Sequence, residues 1–242
     1  VGPRGVGKTT LVLQHALKEL HRSETLYVTA DDLYFSKHTL LELADEFSRL
    51  GGKVLIIDEI HKYKEWSREL KLIYDYHAGL KVIFTGSSIL DITKGTSDLS
   101  RRAVMYQMQG LSFREYLQMF HQISLPVYTL DEILSHQVKT PDNFRPYAYF
   151  QSYLQKGYYP FAMEDDFEIR LQQVVRNTLE TDILQFAEIN VATARKLKQL
   201  LAIISQSVPF KPNMSSLAAM ISAGRNNLAD YFLYMEEAGL IA

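Results

Sequence analysis

Eight consecutive residues near the start of the chain, Gly2-Pro3-Arg4-Gly5-Val6-Gly7-Lys8-Thr9, match the pattern of a loop that wraps a polyphosphate. The residue types follow from the chemistry. Glycines let a compact turn of backbone N–H groups approach an anion closely. A helix starting near Lys8 aims the positive end of its dipole at the same place. In this pattern Lys8 reaches the β- and γ-phosphates, and the Thr9 hydroxyl is a ligand for Mg²⁺. A second group, Asp58-Glu59, ends the aliphatic run Val54-Leu55-Ile56-Ile57. Ligands gather at the carboxyl ends of parallel strands, which places Asp58 near the Mg²⁺ and Glu59 where it can polarise an attacking water. Paired acids lean toward hydrolysis, since many nucleotide binders carry only the first.

Other groups are less specific. Thr85-Gly86-Ser87-Ser88 follows the next apolar stretch, and a hydroxyl there could bond the γ-phosphate or the attacking water; a simple polar turn is the alternative. Arg101-Arg102 could supply a cation in the manner of an arginine finger, although most arginine pairs are merely solvated. The seven histidines show no ligand spacing, so no metal beyond Mg²⁺ is expected. The aromatic stretch Tyr147, Tyr149, Phe150, Tyr153, Tyr158, Tyr159, Phe161 could stack a base, but packing between two domains is the more common use.

These residues need a scaffold. Leu13, Ala16, Leu17 and Leu20 recur with helical spacing after the loop. Thr25 to Ala30 is short and β-rich, and Leu40 to Leu50 reads as a helix stopped by Gly51-Gly52. Lys53 to Ile57 fits a parallel strand buried on both faces. Tyr63 to His77 is a helix and Leu80 to Thr85 a strand, with Val104 to Met108 as one more. Alternation of strand and helix predicts a three-layer α/β domain with a parallel sheet. Beyond it the chain turns helical: Leu111 to Leu134 with a break at Pro126, Tyr147 to Gln155, Asp166 to Gln185, and Ala192 to Gln206. Two short helices follow a linker bracketed by Pro209 and Pro212.

Composition agrees with a soluble, cytoplasmic protein. The 242 residues are 47% hydrophobic, with a net charge of −2, which is enough for a large core and too balanced for indiscriminate nucleic-acid binding. The absence of cysteine removes disulfides, cysteine–zinc sites and thiol chemistry. No apolar run approaches the ~20 residues of a membrane helix. Val1 stands directly before the loop and the chain stops after Leu240-Ile241, so a piece of a longer protein is expected. Lacking a strand ahead of the loop, the polypeptide alone is expected to be poorly stable.

With both nucleotide motifs placed, the chain resembles the AAA-type ATP-binding proteins of bacteria and archaea, which pair an AAA module with an uncharacterised C-terminal domain. The matching stretches are Gly2 to Leu11, Ile57-Asp58-Glu59-Ile60-His61-Lys62, Trp66-Ser67-Arg68-Glu69-Leu70-Lys71, Phe84-Thr85-Gly86-Ser87-Ser88, and Leu111-Ser112-Phe113-Arg114-Glu115-Tyr116-Leu117. The resemblance implies ATP and Mg²⁺ as cofactors. It assigns Gly2, Pro3, Arg4, Gly5, Val6, Gly7, Lys8, Thr9 and Thr10 to nucleotide, Thr9 and Asp58 to the metal, and Glu59, Ser87 and Arg102 to catalysis. Arg102 inherits the arginine role where the family often has Gly-Arg. The family's Gly-Gly-aromatic-Pro motif reads Gly157-Tyr158-Tyr159-Pro160 here.

The expected organisation is a P-loop ATPase domain over residues 1–120, a helical lid or linker over 121–208, and a partial winged-helix-like segment over 209–242. The last resembles a helix-turn-helix, yet residues 213–242 hold one cation, Arg225, against Asp230, Glu236 and Glu237. A protein partner or an intramolecular lid is therefore favoured over DNA. The leading expectation is an ATPase whose cycle moves the C-terminal region. The alternative is a nucleotide-dependent regulatory module with little turnover, possible also as a DNA-associated one. A helicase fragment ranks lower for want of a second α/β domain, and a small-molecule kinase for want of an acceptor signature. An oligomer would be needed if an arginine acts between subunits.

Overall fold

The computed structural model describes residues 1–86, 99, 101–142, 144–187, 189–207, 211 and 213–241. Three parallel strands, β1 (Thr25–Thr29), β2 (Val54–Asp58) and β3 (Lys81–Phe84), form one sheet in the order β1-β2-β3. Register is set by Thr29 opposite Asp58 and Val54 opposite Lys81. The central strand is the aliphatic run, and its alternation serves two faces. Leu55 and Ile57 enter a core with Leu40 and Ala44 of α2 (Leu40–Arg49) and with Trp66, Leu70 and Ile73 of α3 (Trp66–Tyr76). Ile56, pointing the other way, is fully buried without joining that core. Each such side chain contributes about 1.5–3 kcal/mol through burial.

Local signals explain where these elements start. Thr39 caps α2 in a reciprocal box with Glu42. Glu69 of α3 accepts the Leu41 backbone N–H at 3.0 Å and the Tyr63 hydroxyl at 2.8 Å, fastening the start of α2 to α3. The same box recurs as Ser112 with Glu115 at α4 (Phe113–His121) and Thr129 with Glu132 at α5 (Leu130–Leu134).

One expectation is corrected at the β3 side of the sheet. Val104 to Met108 is not assigned as a strand; among the described residues the Val1 ammonium donates to the Tyr106 carbonyl and the Val1 carbonyl accepts from Met108 N–H, both at 2.7 Å. A cavity of about 530 Å³ is lined by residues of both this segment and β3. Helix α1 (Lys8–Glu19) forms as its spacing predicts, yet Leu13 and Leu17 of its apolar face are exposed, Leu17 at 62%. Leu11 and Val12 of α1 line the same cavity.

Among the described residues, further α-helices are α6 (Pro146–Lys156), α7 (Phe167–Asn177), α8 (Ile183–Ala187), α9 (Val191–Gln206), α10 (Met214–Met220) and α11 (Arg225–Glu237). The helix expected from Asp166 to Gln185 is interrupted by a π-helical turn, Thr178–Asp182. A second core gathers Leu179, Ile183, Leu197, Leu200, Leu217, Leu228, Tyr231 and Met235. Between the two cores the aromatic residues pack α4 on α6, with Phe113 against Phe150 and Tyr153, and Tyr116 against Tyr153. Among the described residues no helix is long and apolar enough to cross a membrane.

Candidate phosphate and metal site

Backbone conformation makes the loop. Gly5 and Gly7 lie at φ +85° and +96°, which an L side chain rarely adopts, and Gly7 occupies the cap position of α1. Helix α1 therefore begins at Lys8 with its N-terminal N–H groups directed into the loop. Pro3 and Val6 are buried, whereas Gly5 and Thr10 are exposed. Lys8 is only 8% exposed and donates to the carbonyls of Gly2 and Pro3 at 2.8 and 2.7 Å. Burial holds its pKa down at about 8; Glu59, Asp58 and Asp182 favour the charge and Arg4 opposes it.

The carboxyl ends of the strands supply the acids. Asp58 ends β2, where its carboxylate accepts three hydroxyl donors: Thr9 at 2.6 Å, Tyr27 at 2.9 Å, and Thr85. Burial raises its pKa, but these donors and the Glu59 backbone N–H outweigh it and leave the carboxyl below the usual range. Asp58 is thus an anion among donors, one of them the residue that follows the loop lysine. Glu59 follows in the left-handed region at φ 51°, a strained setting for a non-glycine residue. That kink turns its carboxylate toward His61, 3.6 Å away.

The structure brings together Lys8, Thr9, Asp58, Thr85 and the adjoining Glu59. It does not bring Arg102 to them. Arg102 forks onto Asp75 of α3 at 2.9 and 3.2 Å and lies over the Tyr74 ring. Ser87, the expected sensor, lies outside the described residues. Two participants escape a sequence reading: Tyr27, on β1 and 31 residues from Asp58, and Asp182, whose carboxylate grips Arg4 from the helical half. Neither belongs to a local pattern.

The aromatic stretch divides in two. Tyr149, Phe150 and Tyr153 belong to the α4–α6 packing, with Tyr149 edge-on to His121. Tyr159, Pro160 and Phe161 lie against the loop: Phe161 and Tyr159 are the neighbours of Gly5, and Pro160 of Gly7. Burial pushes the Tyr159 hydroxyl up to about 12, so it is neutral at physiological pH.

Among the described residues no group of three His, Cys, Asp or Glu is placed to hold a metal. The donor set beside the loop is of another kind, a threonine hydroxyl and one carboxylate. Those are hard oxygens, suited to Mg²⁺ bound chiefly by phosphates and water.

Known proteins bear on this geometry. Residues 1–117 match the model of an AAA domain, and residues 147–242 match a domain of unknown function (DUF8612). An uncharacterized protein of Methanocaldococcus jannaschii is 28% identical over 99% of this chain and 54% of its own length. The chain thus spans about half the length of that curated relative. A Walker-type ATPase of Pyrococcus abyssi has a similar solved structure, with a TM-score of 0.53 at 14% identity, covering 98% of this chain and 83% of that one. That likeness establishes the fold, a parallel P-loop sheet followed by helices. Residues 1–117 are thus similar to an AAA domain and residues 147–242 to a domain of unknown function, on a fold shared with a Walker-type ATPase.

Proposed function

We propose that this chain binds ATP with Mg²⁺ at residues 2–10 and hydrolyses it, the cycle changing how the helical half is seated. The observation carrying this reading is the hydrogen-bonded cluster of Thr9, Asp58 and Thr85 beside a buried lysine, where strand ends meet the start of a helix.

Each residue has a task. Backbone N–H groups of Gly5, Val6, Gly7, Lys8, Thr9 and Thr10 cradle the phosphates. Lys8 exchanges its two loop carbonyls for phosphate oxygens, a rearrangement of a side chain that is already buried and aimed along the loop. Thr9 and Asp58 would hold Mg²⁺, which when bound neutralises the charge developing on the phosphates. The three hydroxyls keep Asp58 ionised for that purpose. Glu59 orients a water toward the γ-phosphorus and accepts its proton as the bond to the β–γ bridging oxygen breaks and ADP leaves. Ser87 senses the γ-phosphate. Arg102 serves as the cation only after leaving Asp75, or acts across subunits of an oligomer. The setting is cytoplasmic, and the helical half contacts a protein partner; its acidic C-terminal end argues against nucleic acid.

Mg²⁺-dependent phosphate release by the chain, compared with Lys8→Ala and Glu59→Gln, tests this. The reading requires turnover that both variants abolish, with binding kept in Glu59→Gln. Tight binding lost only in Lys8→Ala, with no turnover in any form, would identify a nucleotide-operated regulatory module instead.

A further inference from the structure

Among the described residues, one ion pair joins the two halves of the molecule: Arg4 of the loop and Asp182 of the π-helical turn between α7 and α8. Arg4 grips both carboxylate oxygens, with Nη2 at 2.8 Å from Oδ1 and Nε at 3.2 Å from Oδ2. Asp182 is 5% exposed. A charge so buried persists only with a partner, and Arg4 is that partner. A π-helical turn is uncommon, and such turns tend to mark functional positions. Here the inserted residue shifts the helix phase so that Thr178, Leu179 and Asp182 all face inward.

Two further contacts clamp the same loop. Phe161 packs on Gly5, and Pro3 packs on Gly239 just beyond α11. The loop that receives phosphate is thus gripped on its outer rim by the helical half at three places. Only the Arg4–Asp182 contact carries charge, and its electrostatic reach extends to Lys8.

We infer that Asp182 is a positioning residue of the phosphate loop: an anion supplied by the helical half that holds Arg4 away from the nucleotide, so that nucleotide binding and seating of the helical half oppose each other. The inference rests on the nucleotide reading given above. Its physical basis is competition for one guanidinium. A triphosphate brings several negative charges to a loop whose flanking arginine already neutralises a carboxylate. Like charges crowd, and the guanidinium that turns to the phosphates leaves Asp182 buried without a partner. The helical half must then shift to rehydrate that carboxylate. By linkage, whatever holds the helical half down weakens nucleotide binding by the same factor.

The test is the dissociation constant of a non-hydrolysable ATP analogue, measured by calorimetry with Mg²⁺ for the chain, Asp182→Asn and Arg4→Gln/Asp182→Asn. Hydrogen exchange across residues 167–187 is followed with and without the analogue. Asp182→Asn frees Arg4 and is expected to tighten binding about tenfold, the middle of the usual coupling range. The double variant, which leaves no buried charge unpaired, loses that gain. In the unsubstituted chain the analogue accelerates exchange over residues 178–182. Unchanged or weaker binding in Asp182→Asn would overturn the inference, as would exchange indifferent to nucleotide; the second readout needs no variant. A merely structural role for Asp182 would lower the melting temperature without tightening binding. No binding by the unsubstituted chain would sink the nucleotide reading itself.

Discussion

The two cores of this chain are built from the same side chains and end differently. The α/β core around Leu55, Ile57 and Ile73 terminates, at the strand ends, in a buried lysine, an acid with three hydroxyl donors and a kinked glutamate. The helical core around Leu197, Leu228 and Met235 is edged by caps such as Asn190 and Asn213, which satisfy helix ends. Apolar burial makes both halves, but the first gathers several polar side chains at one point, whereas the second sends the buried carboxylate of Asp182 to that point's rim. That difference separates a site from a scaffold, and it predicts that substitutions in the two halves fail in different ways.

The largest effect belongs to the site. Lys8→Ala is expected to weaken Mg²⁺-ATP binding by about 2–5 kcal/mol, the usual result of truncating one partner of a desolvated charge contact. Calorimetric titration measures it, and an unchanged affinity would break the comparison. Next comes the scaffold. Leu197→Ala, in a fully buried position, should cost about 2–5 kcal/mol of stability through lost transfer energy and a residual cavity. Urea unfolding reads that loss, while nucleotide affinity of the folded fraction stays within twofold. Should Leu197→Ala also abolish binding, the halves are one unit and the contrast drawn above is wrong.

A smaller effect sharpens the comparison within the site. Tyr27→Phe removes one of three hydroxyl donors from Asp58, worth about 1 kcal/mol for a bond at the partly exposed margin. The half-saturating Mg²⁺ concentration should rise several-fold while affinity for ATP without metal is unchanged. Equal loss of both would make Tyr27 a packing residue only.

Much of the fold was legible because its signals are local. The loop pattern and the aliphatic run of β2 each lie within a few residues of the element they specify. What escaped is long-range. Tyr27 meets Asp58 only because β1 and β2 pair in one particular register, and Arg4 meets Asp182 across 178 residues. The π-helical turn is invisible to periodicity, since one extra residue in a long helix leaves apolar spacing almost intact. Val104 to Met108 reads as a strand by composition, yet a strand is defined by a paired neighbour, and composition names none.

The most modest prediction concerns protons. Burial lowers the Lys8 pKa to about 8, so in the nucleotide-free protein the ammonium is already being lost just above neutrality. Phosphate oxygens require the charged form. Affinity for ATP should therefore be flat well below pH 8 and decline by no more than tenfold per unit above it, because binding must then return a proton to Lys8. The same depressed pKa has an opposite consequence for folding. A lysine that titrates lower in the folded state than in the unfolded one contributes stability above its unfolded pKa, and loses that contribution as pH falls through about 8. Nucleotide affinity and this stability term thus run against each other across the alkaline range. Lys8→Arg separates them, since a guanidinium stays charged throughout: its affinity, weaker or not, should show no inflection near pH 8. An inflection that survived the substitution would assign the proton to another group and leave Lys8 charged at every pH at which the protein folds.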